Sequence, residues 1–192
     1  LEKLPYPDFI AMGYKLSEVN NLFGTGNSVP IMATRGCPFS CFKYCVYPLQ
    51  QGRKVRQRSP NDIIKEMRYW KEKHFVNMFI FRDPVFSIDK KHTIEFCEKL
   101  VESNLNIQFV IETHLKILDK QLILLLKKAG LKAVKVGVES FSEDVLKDAN
   151  RHSETKDQQL IKISELKKNN IAISAMYILG FPEDNEKEEG GF

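Results

Sequence analysis

The chain has 192 residues, of which 43% are hydrophobic and 28% are charged, and its formal net charge is +4. A chain of this length and composition can bury the core of one globular domain. The mild charge gives no clear indication of a nucleic-acid partner. The basic excess gathers in one short run, which is typical of a solvated loop or of a contact with an anionic substrate: Arg53, Lys54, Arg56 and Arg58.

No apolar run approaches the roughly 20 residues that a membrane-spanning helix needs. The first residues include Glu2, Lys3 and two prolines instead of the apolar core of a signal peptide. We therefore expect a cytoplasmic protein, whose four cysteines are ligands or core thiols and not disulfides. The chain begins without Met and ends in an acidic, glycine-containing stretch, so we expect it to be a piece of a longer protein.

Residues 1–29 contain two prolines and three glycines without sustained periodicity, which predicts a linker or irregular N-terminal segment. After it, apolar runs alternate with amphipathic segments. In chain order, the pattern predicts a strand at Pro30–Arg35, a helix from Pro60 to about His74, a strand at Val76–Phe81, a helix from about Asp89 to Asn104, a strand at Ile107–Glu112, a helix at Leu118–Ala129, a strand at Ala133–Val138, helices near Glu143–Asn150 and Lys156–Asn169, and a strand at Ile171–Leu179.

Local signals mark the ends of some of these helices. Ser59, Pro60 and Asp62 supply an N-cap, a proline in the first turn and an acid in the first turn. Gly130 is placed to end the helix that precedes it. Strands without polar alternation, separated by amphipathic helices, indicate an α/β fold with a parallel sheet covered by helices.

The turn after the first strand decides between two parallel architectures. A doubly wound sheet would place a glycine-rich phosphate turn there, whereas this turn is rich in cysteine. The sequence therefore predicts a partial (β/α) barrel of about five parallel strands, with residues 30–192 as an incomplete core. In such a barrel the active site is built from the loops at the carboxyl ends of the strands.

Polar, sulfur-containing and glycine residues follow the predicted strands, one group after another. They are Cys37, Cys41 and Cys45 after the first strand, Arg82 and Asp83 after the second, Glu112 and His114 at the third, Glu139 and Ser140 at the fourth, and Gly180 and Pro182 after the fifth. Because these ends meet at one edge of the sheet, we expect one site there. Of the histidines, His114 has only its position in its favour and is predicted to be structural.

The three cysteines of the first loop indicate a metal centre. Thiolates favour zinc, or iron in iron–sulfur clusters. Structural zinc usually takes four closed ligands, and no histidine lies within or beside this loop. A 4Fe–4S cluster with one iron that the protein does not ligate is therefore favoured over zinc or a purely structural role. Cys97 lies in an apolar helical stretch and is predicted to be a core thiol.

The cysteine loop also resembles a known family. The segment Thr34-Arg35-Gly36-Cys37-Pro38-Phe39-Ser40-Cys41, followed by Tyr44-Cys45, is similar to the cluster loop of the radical S-adenosylmethionine (SAM) superfamily, and closest to its cobalamin-binding branch. The similarity continues through Val46-Tyr47-Pro48 and Arg56-Gln57-Arg58-Ser59-Pro60 to Gly180-Phe181-Pro182-Glu183. Leu4-Pro5-Tyr6-Pro7-Asp8 resembles the junction that joins a cobalamin domain to the barrel. The family barrel normally has six strands, so the resemblance implies that one is missing from this reading.

The resemblance implies metal ligands and one SAM contact. Cys37, Cys41 and Cys45 would ligate three irons of a 4Fe–4S cluster, and SAM would chelate the fourth through its amino and carboxylate groups. Asp83 would contact the SAM amino group. From the residues alone, Asp83 could instead begin a turn with the proline that follows it.

Further SAM contacts follow from the same resemblance. Glu139, with Ser140, would accept hydrogen bonds from the ribose, and Arg151 would pair with the SAM carboxylate. The adenine would pack against a segment that contains Ile178, Gly180 and Pro182. The alternatives are structural: Glu139 could cap the next helix, Arg151 could be a surface residue, and the glycine–proline segment could be an ordinary turn.

The family resemblance implies an enzyme that reductively cleaves SAM to a 5′-deoxyadenosyl radical. The outcome would be hydrogen abstraction, methyl transfer or ring formation on an unknown, small-molecule substrate. Flavodoxin or ferredoxin would donate the electron, and cobalamin would be held by a domain absent from this chain. The alternative function is a non-catalytic barrel that holds an iron–sulfur cluster or zinc through its three cysteines.

The loop departs from the family pattern at one point. Three residues separate Cys41 from Cys45, where the family has two. We expect the extra residue, Phe42 or Lys43, to bulge outward and leave the cluster site intact.

Overall fold

The computed structural model describes residues 4–16, 27–41, 44–151 and 153–182. The strands are β1 (Ser28–Ile31), β2 (Thr34–Arg35), β3 (Arg56–Gln57), β4 (Met78–Phe81), β5 (Gln108–Thr113), β6 (Leu131–Glu139) and β7 (Ala172–Tyr177). The helices are α1 (Tyr47–Gln51), α2 (Pro60–His74), α3 (Lys90–Glu102), α4 (Lys120–Ala129), α5 (Glu143–Asp148) and α6 (Lys156–Lys168), with a 3-10 helix at Leu115–Ile117.

The main sheet has five strands in the order β1–β4–β5–β6–β7, and each neighbouring pair is parallel. The five predicted parallel strands are therefore all present in one sheet. Helices cross between successive strands, as the alternating pattern requires. All five carboxyl ends consequently lie at the same edge, which places the loops that follow them close together.

Several helices begin or end where the sequence supplies a capping group. Ser59 accepts a hydrogen bond from the Asp62 N–H at 3.3 Å, and Asp119 accepts one from the Leu122 N–H at 2.9 Å. Gly130 ends α4 at a φ of 113°, and a Cβ there would lie 2.3 Å from the Ile107 carbonyl oxygen. Glycine is required at that position both by its φ and by the close backbone approach.

The first predicted strand, Pro30–Arg35, is wrong in its extent. The chain enters the parallel sheet earlier, at Ser28, and leaves it after Ile31, whereas Thr34–Arg35 pairs in antiparallel fashion with Arg56–Gln57. The physical reason is a buried carboxylate, because the N–H groups of Ala33 and Thr34 donate to the Asp83 side chain and not to a neighbouring strand.

Three short elements of the described chain were not predicted, and one of them is the 3-10 helix at Leu115–Ile117. Strand β3 has two exposed residues without apolar alternation, and α1 has five residues without a side-chain cap. Other boundaries moved by a few residues. The predicted strand Val76–Phe81 begins at Met78, and the predicted strand Ile171–Leu179 spans Ala172–Tyr177.

The core lies between the sheet and the helices α2, α3 and α4. Its centre holds a cluster of phenylalanine rings from β4, β5, α3 and the loop after β4, with ring centroids between 4.6 and 6.4 Å apart: Phe81, Phe86, Phe96 and Phe109. Cys97 is fully buried in α3, which confirms that it is a core thiol.

The N-terminal segment packs on this core as well. Within residues 4–16, the Phe9 ring lies 5.5 Å from Trp70 of α2, and the Tyr6 ring lies 5.7 Å from Tyr69. The segment has no strand or helix in its described part, but it is anchored by aromatic contacts. Its assignment as a linker outside the core stays a prediction. Among the described helices, none has the length and apolar character to span a membrane.

Candidate active site

The cysteine loop leaves β2 through a position that only glycine can occupy. Gly36 has a φ of 101°, and a Cβ there would lie 2.2 Å from the Lys54 carbonyl oxygen. The Cys37 N–H donates to the Gly52 carbonyl at 3.0 Å. The turn between α1 and β3 thus fixes the first cysteine directly after Gly36.

Arg53, from the same turn between α1 and β3, holds the middle of the cysteine loop. Its Nη2 donates to the Pro38 carbonyl oxygen and to the Ser40 Oγ, each at 3.1 Å. The sequence indicates that the basic run is a solvated loop. In the structure one of its guanidinium groups also stabilises the cysteine loop through hydrogen bonds.

All three loop cysteines line one cavity at the carboxyl edge of the sheet. Its other walls come from α1, β5, β6, β7 and the turns after β4 and α5. The polar and aromatic residues that line it are Phe39, Tyr44, Tyr47, Glu112, Thr113, His114, Glu139 and Arg151. The structure therefore brings together predicted site residues from strands that are far apart in the sequence.

The thiols are sheltered from solvent and close to one another. Cys37 and Cys41 are each 5% exposed, and Cys45 is half-buried. Burial raises the pKa of Cys37 and of Cys45, and the neighbouring thiols raise both pKa values further. Three thiolates in this space would repel one another, so a cationic metal centre would stabilise their ionised form.

The donor set fits an iron–sulfur cluster. All three cysteines line the same cavity. In a 4Fe–4S cluster each thiolate binds a different iron of the cube, so three thiolates leave one iron for another ligand. Phe42 and Lys43, with the bulge predicted there, lie outside the described residues.

Glu139 and Arg151 meet in another part of the cavity wall. Arg151 donates from Nη2 to the Gly137 carbonyl oxygen, and the same nitrogen lies 3.7 Å from Oε1 of Glu139. A Cβ on Gly137 would lie 2.2 Å from that carboxylate oxygen, so the absence of a side chain there makes room for the pair. Arg151 is 11% exposed and is not a surface residue.

The electrostatics of this pair depend on burial. Burial raises the pKa of the Glu139 carboxyl, the Arg151 guanidinium opposes that shift, and the Glu112 carboxyl adds to it. The backbone of Glu139 has a φ of 68°, which is unusual for a residue other than glycine. Strained backbone of this kind clusters at functional sites. It turns the Glu139 side chain toward Arg151 at the end of β6.

Two polar groups in the cavity wall are buried without a partner. Neither the Tyr44 hydroxyl nor the Arg151 Nε has a hydrogen-bond partner among the described residues. Buried polar groups are nearly always hydrogen-bonded in folded proteins. A polar ligand in this cavity would satisfy both groups, and a carboxylate would suit the guanidinium.

The structure does not bring Asp83 into the cavity. Its side chain is fully buried and accepts hydrogen bonds from the N–H groups of Ala33 and Thr34 and, at 2.7 Å, from the Thr34 hydroxyl. Burial raises the pKa of Asp83 to about 6, although these hydrogen bonds favour the ionised form. The contact with the SAM amino group stays a prediction, and the hydrogen-bond partners Ala33 and Thr34 belong to the strand-to-loop turn.

The remaining predicted contacts lie beside the cavity and not in its lining. The Ser140 Oγ accepts from the Ser142 N–H at 3.0 Å, and the Ile178 N–H donates to the Glu139 carbonyl at 2.9 Å. Gly180, with a φ of 87°, and Pro182 are exposed. Between them, the ring of Phe181 packs edge-on against Tyr44 at 5.8 Å. The segment after β7 thus reaches the cysteine loop through an aromatic contact.

His114 also lines this cavity, where sequence reasoning gave it only a structural role. Its ring packs on Phe39 at 5.6 Å, and its Nδ1 accepts from the Lys116 N–H at 3.2 Å. Burial, followed by the charges of Arg151, Lys116 and Lys162, lowers the pKa of His114 to about 3. The imidazole is therefore neutral at physiological pH.

The fold and this donor set define an α/β protein with a thiol-lined cavity at the carboxyl edge of a parallel sheet. A family model described as the radical SAM superfamily matches residues 31–190. The chain therefore belongs to the radical SAM superfamily, as its cysteine loop predicts. This family uses a 4Fe–4S cluster and SAM.

The chain is similar to curated enzymes of several kinds. Bacteriochlorophyllide d C-12(1)-methyltransferase of Chlorobaculum tepidum is 30% identical over 162 residues, which cover 83% of this chain and 35% of that enzyme. Anaerobic magnesium-protoporphyrin IX monomethyl ester cyclase of Rubrivivax gelatinosus is 34% identical over 157 residues, which cover 81% of this chain and 27% of the cyclase. The chain thus spans about a third or less of the length of these relatives.

Solved structures confirm the partial-barrel fold. The radical SAM methyltransferase TsrM of Kitasatospora setae, with cobalamin and a [4Fe-4S] cluster bound, matches with a TM-score of 0.77 at 18% identity, over 85% of this chain and 33% of TsrM. The cobalamin-dependent radical SAM enzyme OxsB, with aqua-cobalamin and SAM bound, matches with a TM-score of 0.69 at 20% identity, over 84% of this chain and 26% of OxsB. Both of these neighbours are cobalamin enzymes, and what they show for this chain is its fold.

Proposed function

We propose that this chain is the catalytic core of a radical SAM enzyme that holds a 4Fe–4S cluster on Cys37, Cys41 and Cys45 and binds SAM in the adjoining cavity. The observation that carries the proposal is the shared cavity. Three sheltered thiols form one wall, and the Arg151 guanidinium and Tyr44 hydroxyl contribute two unsatisfied polar groups. When bound, the cluster and SAM supply one-electron reductive cleavage chemistry.

Arg151 would bind the carboxylate of SAM, and Glu139 would bind its ribose. The Arg151 Nε is a buried donor without a partner among the described residues, so a SAM carboxylate there would form a charge-assisted hydrogen bond. Glu139 is held 3.7 Å from the same guanidinium and would accept hydrogen bonds from the ribose hydroxyls. Ser140 lies directly after Glu139, and its Oγ shapes the turn by accepting from Ser142.

The adenine would lie beside the segment that follows β7. Ile178 is hydrogen-bonded to the backbone of Glu139, so this segment is fixed relative to the ribose-binding carboxylate. A Cβ at Gly180 would meet no atom within 4 Å, so there is open space beside the backbone at this position. The Phe181–Tyr44 ring contact would close the adenine side against solvent, with Pro182 ending the segment.

Asp83 would act through the loop and not through SAM. Its carboxylate fixes the N–H groups of Ala33 and Thr34, which lie four and three residues before the first cysteine. The role that the family resemblance implies, a contact to the SAM amino group, would require the carboxylate to exchange these partners. We therefore favour a positioning role for Asp83.

The neutral imidazole of His114 and the ring of Phe39 would exclude water from the thiols. The two rings pack at 5.6 Å and line the same cavity as the cysteines. Because the His114 pKa is lowered to about 3, the ring is neutral and needs no water or counter-ion in the cavity. A dry cavity of this kind protects reactive intermediates.

The family supports a small-molecule substrate and the need for a reductant, and the identity of the electron donor is our proposal. Radical SAM enzymes act on small molecules and need a reductant, for which flavodoxin or ferredoxin is our proposal. The curated relatives are named for methyl transfer and for ring closure, so either reaction would suit this core. Cobalamin would bind to a domain outside this chain, and a cytoplasmic location would suit a cofactor that oxygen destroys.

Anaerobic reconstitution tests this proposal. The chain is incubated with iron and sulfide, and iron, sulfide and zinc are counted per chain before dithionite and SAM are added. We expect about four irons per chain and the formation of 5′-deoxyadenosine. A Cys37→Ala, Cys41→Ala, Cys45→Ala variant should lose both signals, whereas Cys97→Ala should keep both. A zinc-loaded, colourless chain would contradict the proposal.

A further inference from the structure

The turn after α5 contacts the cysteine loop at Ser40, a residue that Arg53 also contacts. The Asn150 Nδ2 donates to the Ser40 carbonyl oxygen at 3.2 Å, although the two residues are 110 positions apart. The Cys41 thiol donates in turn to the Asn150 carbonyl oxygen at 3.9 Å. One residue thus holds both the backbone before the second cysteine and that cysteine itself.

The backbone of Asn150 is fixed by the end of its helix. Asn150 has a φ of 53°, its N–H donates to the Lys147 carbonyl at 3.0 Å, and the Arg151 N–H donates to the Leu146 carbonyl at 2.7 Å. These are the two hydrogen bonds of a Schellman motif, in which glycine or asparagine occupies the left-handed position. The amide of Asn150 therefore leaves a rigid turn and not a flexible loop.

The next residue, Arg151, extends from the same turn to the other wall of the cavity. Its guanidinium donates to the Gly137 carbonyl at the end of β6 and lies 3.7 Å from Glu139. A single two-residue turn thus contacts the cysteine loop with one side chain and the β6 end with the next. Whatever moves this turn changes the spacing between the thiol wall and the Glu139–Arg151 wall.

We propose that Asn150 is a positioning residue, whose side-chain amide holds Ser40, the residue before Cys41, relative to Arg151 and so sets the distance between the cluster loop and the SAM-binding wall. This inference deepens the proposed function, on which its consequence for SAM rests. The hydrogen bond from the Asn150 side-chain amide to the Ser40 carbonyl does not involve a thiol, so it can form with or without a cluster. Asn150 touches neither reacting atoms nor cofactor in this role.

The chain supplies a matched control in Asn170. This residue follows α6 with the same φ of 53°, and the corresponding Schellman hydrogen bonds run from Asn170 N–H to Lys167 and from Ile171 N–H to Leu166. Its turn precedes β7 and so lies at the amino-terminal edge of the parallel sheet, whereas the cysteine loop lies at the carboxyl edge. Glycine is the preferred residue at this helix position, so Asn150→Gly and Asn170→Gly both preserve the helix end.

Anaerobic alkylation of the metal-free chain tests the proposal without a cluster. The chain is treated with iodoacetamide at fixed pH, and the rate at each cysteine is read by peptide mass spectrometry. In Asn150→Gly we expect Cys41 to react about two- to tenfold faster relative to Cys97, the range that one lost hydrogen bond permits. Asn150→Asp should act likewise, because a carboxylate cannot donate to the Ser40 carbonyl. Asn170→Gly should leave the ratio unchanged.

Two results would overturn the proposal. One is an equal Cys41 rate in the original chain, Asn150→Gly and Asn150→Asp. The other is an equal acceleration in Asn170→Gly, which would show a general loosening of the fold.

The loaded protein gives a second, separate readout. After reconstitution, Asn150→Gly should shift the electron paramagnetic resonance spectrum or the reduction potential of the cluster and weaken SAM binding, whereas Asn170→Gly should change none of these. If Asn150→Gly keeps the original cluster spectrum, reduction potential and SAM affinity, the proposed effect of Asn150 on SAM binding is contradicted. If the original chain assembles no cluster, the proposed function fails, but the alkylation rates still decide whether Asn150 positions Cys41.

Discussion

The interior of the sheet and its carboxyl edge are built on different principles, although the same strands form both. In the interior, β4 is buried along its whole length, and four phenylalanine rings pack on one another. At the edge, thiols, carboxylates and a guanidinium are sheltered together, and two polar groups have no partner among the described residues.

This difference separates stability from function. Apolar packing in the interior stabilises the fold without needing any ligand. The edge includes a strained backbone at Glu139 and unsatisfied donors that a ligand would stabilise. Substitutions in the interior should therefore change the free energy of unfolding, and substitutions at the edge should change cofactor binding.

Two cysteines, one from each region, give the largest expected contrast. Cys41→Ala removes a thiol from the cavity and should abolish stable cluster assembly, because two remaining thiolates hold only two irons. Cys97→Ala removes a fully buried thiol from α3 and should leave the iron content unchanged. Iron and sulfide analysis after reconstitution measures both. Equal iron content in the two variants would contradict the separate roles of the cavity thiol and the core thiol.

Phe109→Ala should give the largest loss of stability. Phe109 is fully buried and packs against three other rings of the phenylalanine cluster, so the cavity left behind should cost about 3–5 kcal/mol of unfolding free energy. Urea unfolding of the metal-free chain measures the change. Phe75→Ala removes a ring that is 76% exposed and should change the free energy by only about 0.5 kcal/mol or less.

Arg151→Met should weaken SAM binding at the edge. The lost charge-assisted hydrogen bond predicts a dissociation constant about 10- to 100-fold higher, measured by calorimetry on reconstituted protein. Arg68→Met serves as the control, because Arg68 pairs with Glu72 on the exposed face of α2. Unchanged affinity in Arg151→Met would remove Arg151 from the SAM site.

His114 should give a smaller effect that depends on pH. Its folded pKa is about 3 against an ordinary value of 6.5, mainly because of burial, so between these values the unfolded chain binds the extra proton. The contribution of the neutral His114 imidazole to the free energy of unfolding is complete above pH 6.5. It is lost as the pH falls toward 3, by up to about 1.4 kcal/mol per pH unit.

His114→Gln should flatten this dependence, because glutamine does not titrate. Unfolding free energies of both proteins at pH 7 and pH 5 measure the difference. An identical change in the two proteins would mean that the imidazole is not kept neutral by the fold.

The sequence predicted the interior better than the edge because apolar runs are local signals. The core strands around Phe79, Phe109 and Val134 follow from continuous apolar stretches between helices. The short strand at Arg56–Gln57 carries no such signal, since both residues are exposed. It exists because Thr34–Arg35 leaves the main sheet to pair with it.

Chemical identity at the edge was predictable, but contacts between distant residues were not. The residues of the cysteine loop pointed to the family, although the spacing between Cys41 and Cys45 departs from its pattern, and the family model confirms the family for residues 31–190. By contrast, the Asp83 carboxylate serves the backbone of Ala33 and Thr34, and Asn150 reaches Ser40 across 110 positions. Such partners depend on how the loops fold together, and residue type alone does not select them.

The central claim is that SAM binds beside a cluster held by the three loop cysteines. The most direct test is electron paramagnetic resonance of the reduced, reconstituted chain with and without SAM. Because SAM would chelate the iron that no cysteine ligates, we expect its addition to change the cluster spectrum, and we expect a smaller change in Arg151→Met. A cluster spectrum that SAM leaves unaltered at saturating concentration would contradict the account.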